Sequence, residues 1–171
     1  LSDGTTAGNR TAFFLIGTFM ALWVILYGLI QANAPRILRA KTRPTDELMK
    51  VARGWAWSLA AVPAILTGIA IIAGKPQLWL TISLVAGLLI FGIVFAVNSS
   101  LHSYLLLSFT KAERVTMDVG FYYMANAAGR LAGTLLSGLT YQICGLPLML
   151  GVAAFMVALS AIMVGLLKPE R

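Results

Sequence analysis

One cysteine, one histidine and six acidic residues are all that this 171-residue chain contains of those types. The lone Cys144 excludes an intrachain disulfide and any cysteine-cluster metal site, which leaves small apolar packing as its expected role. Charge of either sign is scarce, at 11% of the residues, where a soluble globular chain carries roughly a quarter. What replaces it is apolar: 59% of the residues are hydrophobic and the mean hydropathy is +0.86. A soluble domain of this length could not hide so much apolar surface, so the lipid bilayer is the expected solvent. The net charge of +7 does not point to nucleic acid, because that reading needs a basic face on a soluble body. Here the Lys and Arg residues fall between apolar runs, where they orient membrane spans. The chain begins at Leu1 without a short basic start before an apolar core, and is expected to be a fragment.

Enzyme signatures are missing too. There is no HExxH, no Walker loop and no nucleophile–base–acid set, and a lone His102 amid serines is weak ground for nucleophilic catalysis. No enzymatic activity, cofactor or metal site is expected.

A membrane span needs about 20 apolar residues, since each helical residue rises about 1.5 Å through a hydrocarbon core of about 30 Å. On that rule the chain reads as an all-α membrane protein with five spans, at about 12–33, 54–73, 78–109, 118–143 and 146–167. Pro35 is expected to end the first, and Pro63 to kink the second. "GKPQ" (74–77) makes a tight turn and "CGLP" (144–147) another. The third run is too short for two spans, so it reads as one long or tilted helix, loosened at "NSS" (98–100). Barrel strands are excluded because the apolar runs are continuous and far too long.

The basic residues test this count. With the N-terminus outside, the loop at 34–53 is cytoplasmic and carries Arg36, Arg39, Lys41, Arg43, Lys50 and Arg53. Lys111, Arg114, Lys168 and Arg171 also fall inside, against Arg10 and Lys75 outside. Splitting the third run would weaken that bias, so five spans with a cytoplasmic C-terminus is the topology the charges favour. An odd number of spans with a bare external start again suggests that earlier helices are missing.

The remaining basic residue is Arg130, inside "VGFYYMANAAGRLAGTLLSG" (119–138). It lies twelve residues beyond Asp118, roughly 18 Å into its span, which is too deep for an easy snorkel. Such a charge costs several kcal/mol unless it faces protein or water. Tyr122, Asn126, Arg130 and Thr134 recur every four residues and share one stripe, flanked by Tyr123 and Ser137. A polar stripe is poorly matched to lipid, so it is expected to line a cavity. The competing reading is a structural Arg bonded to carbonyls, or to a carboxylate on an absent helix. The adjacent stripe of Ala125, Gly129, Gly133 and Ser137 is expected to pack closely on another helix, as are Gly17, Ala21, Gly28 and Ala32 in the first span. Asn98 and His102 are four apart on one face. His102 could carry a proton or bind an anion, or could simply bond a carbonyl or a headgroup. Trp23, Tyr27, Trp55, Trp57 and Trp79 read as interfacial or packing aromatics.

Three stretches carry a resemblance to a known family: "FMALWVILYGLIQANAPRIL" (19–38), "LLIFGIVFAVNSSLHSYLLLSF" (88–109) and "DVGFYYMANAAGRLAGTLLSGLTYQ" (118–142). The chain resembles the C-terminal part of a major facilitator superfamily transporter, and within it the ArsJ organoarsenical efflux permeases. The resemblance implies that the five spans are helices eight to twelve of a twelve-helix fold whose N-terminal half is missing here. It implies efflux of 1-arseno-3-phosphoglycerate across the inner membrane. That would confer arsenate resistance through a functional link to glyceraldehyde-3-phosphate dehydrogenase, which makes the ester. Substrate contacts are then expected from Arg130, Asn126, Tyr122, Tyr123, Asn98 and His102. The chemistry is compatible, since a planar guanidinium suits hard anionic oxygens and pentavalent arsenic needs no thiolate ligand. Two alternatives stand beside this reading: a carrier of the same superfamily for another organic anion or drug, and a helical scaffold without transport.

Overall fold

The computed structural model describes residues 6–39, 42–110 and 112–166. Of the residues weighed above, Leu1, Asp3, Lys41, Lys111, Leu167, Lys168, Glu170 and Arg171 lie outside the described ones. The described residues are all-helical, and four helices are long and apolar enough to cross a membrane. They are α1 (Thr6–Ile37), α2 (Thr45–Ala73), α3 (Leu78–Phe109) and α4 (Val115–Leu166), with a short 3₁₀ turn at Ala112–Arg114 before α4. The helix count is therefore four, not five.

The difference lies in α4. Its 52 residues would measure about 78 Å if straight, but Cys144 (φ −137°, ψ 19°) and Gly145 (φ 68°, ψ −158°) are not helical. Helix resumes immediately through Pro147, whose missing N–H costs little in a first turn. The segments on either side of this break, residues 115–143 and 146–166, are called the first and second legs. They fold back on each other, so that Gly133, Ser137 and Thr140 of the first share one groove with Met149, Val152 and Met156 of the second. Cys144, expected in apolar packing, is instead exposed at the fold-back.

Two other boundaries differ from expectation. Pro35 does not end α1, which continues to Ile37; so near a C-terminus a proline removes only one ladder bond. α2 begins nine residues before the expected span, at Thr45. Asp46 and Glu47 occupy its first turn, where negative charge suits the helix dipole, and Pro44 precedes it with an extended backbone. Much of the basic loop is thus helix. α2 is continuous through Pro63, and α3 is unbroken at Asn98–Ser100. α2 ends at Gly74, whose N–H donates to Ala70 O and whose positive φ of 61° suits glycine.

α3 lies between α1 and α2. It runs parallel to α1, since Trp23 meets Leu88 and Gln31 meets Ser99. Against α2 it is antiparallel: Leu48 and Ala52 cluster with Leu101 and Leu105, and Ala70 and Ala73 with Leu80. The second leg packs along α2, where a Cβ on Gly151 would lie 3.6 Å from Thr67 Cγ2 and Arg53 Nη2 donates to Gly165 O, and its Leu146 and Leu150 reach the cluster of Ala70, Ala73 and Leu80. In lipid, helix association rests on close packing rather than on water exclusion. The close approaches here are at Gly87, where a Cβ would lie 2.7 Å from Leu66, and at Gly92, where it would lie 2.6 Å from Trp23.

The small-residue stripes singled out above do not pack this way. A Cβ on Gly17, Gly28, Gly129 or Gly133 would meet nothing within 4 Å among the described residues. Those stripes leave space rather than closing it.

Candidate functional site

Three helices bring polar pairs to one cavity of about 430 Å³, each pair or triplet at four-residue spacing. α1 supplies Tyr27 and Gln31, α3 supplies Ser99 and Ser103, and the first leg of α4 supplies Tyr122, Asn126 and Arg130, with Tyr123 beside them. The spacing follows from helix geometry, because residues four apart stack on one face. The cavity forms because the first leg stands off from α1 while the fold-back at Gly145 holds it against the second leg.

Arg130 lies about midway along the first leg. Thirteen residues separate it from Cys144 and eleven from Asp118, so it is roughly 18–21 Å from either end. Its guanidinium has no hydrogen-bond or ion-pair partner among the described residues, and its side chain is exposed to the cavity side of the chain. Of the two partners the competing structural reading offers, the described residues provide no backbone carbonyl for this group; a carboxylate on another helix would lie outside them. Tyr122 and Tyr123 stand edge to face, with ring centroids 5.7 Å apart.

The opposite wall is pinned. Gln31 Nε2 donates to Ser99 Oγ across α1 and α3 at 3.4 Å. Ser103 Oγ donates to Ser99 O at 3.0 Å. Tyr27 stacks on Trp23 (centroids 5.8 Å) and leans on Phe95 (5.6 Å), and Trp23 Nε1 donates to Leu88 O at 3.0 Å. Tyr27, read from sequence as a packing aromatic, therefore serves the aromatic pile and the cavity together.

Of the six residues expected at the site, four converge here: Arg130, Asn126, Tyr122 and Tyr123. Asn98 and His102 do not. Asn98 is buried at 7% exposure, and its Oδ1 has no partner among the described residues. His102 Nδ1 contacts Asn98 O at 2.9 Å, and its ring faces a separate cavity of about 240 Å³ with Met49, Leu105, Phe109 and Tyr122. One residue of helix is about 100° of rotation, so the ladder facing the site is 99/103 rather than 98/102. Gln31, Ser99, Ser103 and Tyr27 were missed. Their four-residue spacing was visible, but serines in apolar helices commonly bond their own backbone, as Ser103 does here.

A larger cavity, of about 610 Å³, opens at the end of α1 beside Arg36, Arg39 and Thr42. It lies past the last apolar turn, where basic residues are ordinary, so the mid-span cavity is the stronger candidate. Among the described residues no three His, Cys, Asp or Glu side chains come together.

No family model, curated protein or solved structure matches this chain.

Proposed function

We propose that the chain is the C-terminal part of a major facilitator superfamily carrier that exports a small organic oxyanion. In this reading α4 supplies two crossings, one per leg, which makes five in all. The N-terminus of α1 is outside and the C-terminus is cytoplasmic, in the inner membrane, and helices before α1 complete the transport path. The chain is a carrier, not an enzyme.

One observation carries the proposal: a mid-span guanidinium without a partner among the described residues, facing a polar cavity built by three apolar helices. An ionisable group at that depth is costly and marks a substrate path by default. A planar fork of N–H donors matches phosphate-like oxygens. The resemblance of residues 19–38, 88–109 and 118–142 narrows the oxyanion to an organoarsenical, 1-arseno-3-phosphoglycerate, supplied by glyceraldehyde-3-phosphate dehydrogenase acting on arsenate. A second reading, a carrier for another organic anion, is favoured by the cavity's chemistry, because the oxygens of pentavalent arsenic and of phosphorus look alike to hydrogen-bond donors.

The test measures membrane abundance and arsenate-dependent export together for Arg130→Lys and Arg130→Gln in the full-length protein. Arg130→Gln should lose charge-assisted bonds worth roughly 1.5–3 kcal/mol each, or about ten- to a hundredfold in affinity. Arg130→Lys should fall between. Normal export by Arg130→Gln overturns the proposal, and parallel loss of abundance and export favours a structural role.

A further inference from the structure

Resting on the carrier reading, we infer that Gln31, Ser99, Ser103 and Tyr27 form a neutral hydroxyl-reading wall opposite Arg130. The substrate class they select has one oxyanion group at this site and a hydroxyl-bearing body.

Arg130 is the sole cation lining the cavity among the described residues, and it carries donors only. It therefore meets one anionic group. Every polar group on the facing wall is uncharged. Ser99 Oγ accepts from Gln31 at 3.4 Å, which leaves the Ser99 hydroxyl hydrogen free to donate. Gln31 keeps its carbonyl oxygen and a second N–H. Ser103 has committed its hydrogen to Ser99 O at 3.0 Å, so its oxygen faces the cavity as an acceptor. An acceptor beside a donor fits a hydroxyl, which can satisfy both, whereas an oxyanion only accepts, so the second oxyanion of a doubly anionic ester would lie away from this wall. A charge placed there without a cation would be desolvated and uncompensated. The wall is also held in place, since the Gln31 bond ties α1 to α3 and the stacked Trp23 fixes Tyr27. Pre-set groups discriminate better than mobile ones, because a missing partner leaves them unpaired.

The test uses two probes with the same phosphate group, propyl phosphate and glycerol 3-phosphate, titrated into the full-length protein in lipid nanodiscs. The unmodified protein should bind glycerol 3-phosphate about tenfold more tightly, the worth of one or two hydrogen bonds. Gln31→Leu with Ser103→Ala should bring the two within about twofold of each other, by weakening glycerol 3-phosphate more than propyl phosphate. Ser103→Ala alone removes one hydroxyl without disturbing packing, and should give an intermediate ratio. Arg130→Gln should weaken both probes alike. Equal binding of the probes by the unmodified protein, or a tenfold preference surviving in the double variant, overturns the inference and leaves the role of Arg130 standing. Probe binding unaffected by Arg130→Gln, or no binding of either probe, overturns the carrier reading and this inference with it.

Discussion

The indole of Trp23 occupies the place a side chain on Gly92 would take: a Cβ there would lie 2.6 Å from Nε1 and 2.8 Å from Cε2. This contact joins α1 to α3, and with the Nε1 bond to Leu88 O at 3.0 Å it fixes the aromatic pile behind the cavity. An indole is rigid and cannot yield by a small rotation. Gly92→Ala should therefore displace Trp23 and lose its hydrogen bond, at about 1–3 kcal/mol for overpacking. Thermal unfolding in detergent should show the drop, and an unchanged midpoint would mean the two helices are not held at this distance.

Gly133 should behave oppositely. Its Cβ position is open, and it borders an apolar groove of about 250 Å³ between the two legs of α4. Gly133→Leu should fill that groove, and the helix gains about 1 kcal/mol in propensity. Abundance and thermal stability should be unchanged or higher. Loss of folded protein would show that another helix closes on this stripe.

His102 is outside the cavity, tied to Asn98 O and set among apolar neighbours. His102→Gln should leave the affinity for inorganic phosphate within about twofold of the parent. A tenfold loss with normal folding would place the imidazole in the binding path.

Orientation can be read with cysteine labelling at two exposed positions, Arg43 before α2 and Lys75 after it. The positive-inside bias predicts that a cysteine at position 43 reacts from the cytoplasm and one at 75 from outside. Cytoplasm-only reaction at 75 would invert the topology.

Gly145 tests the fold-back. Its φ of 68° and ψ of −158° suit glycine and strain any β-branched residue, at a cost of order 1–3 kcal/mol. Gly145→Val should lower membrane abundance, and so should Gly145→Asn, because a ψ of −158° lies outside the left-handed well that Asn tolerates. Equal abundance of both variants and the parent would show that the legs part without this turn.

The membrane class was legible without coordinates, because long apolar runs have one physical solution in lipid: a helix that satisfies its own backbone. The Arg130 stripe was legible for a related reason, since four-residue spacing sets which side chains share a face of one helix. Three features were not legible. Pro35 looked like a terminator, but a proline in a last turn loses little. The glycine stripe at 125–137 looked like a contact, yet spacing alone does not supply the facing helix. Asn98 and His102 looked like the site, while Ser99 and Ser103 one residue along are the pair that faces it. Sequence by itself determined that the chain is built of long apolar helices and which residues align along each, because those are local properties of a hydrogen-bonded chain, while their number came out as four rather than five because helix resumes at once past Cys144 and Gly145. Only the tertiary structure decided which faces meet. That choice depends on the rotation of each helix about its axis, and contacts such as Trp23 on Gly92 and Leu66 on Gly87, far apart in the chain, set it.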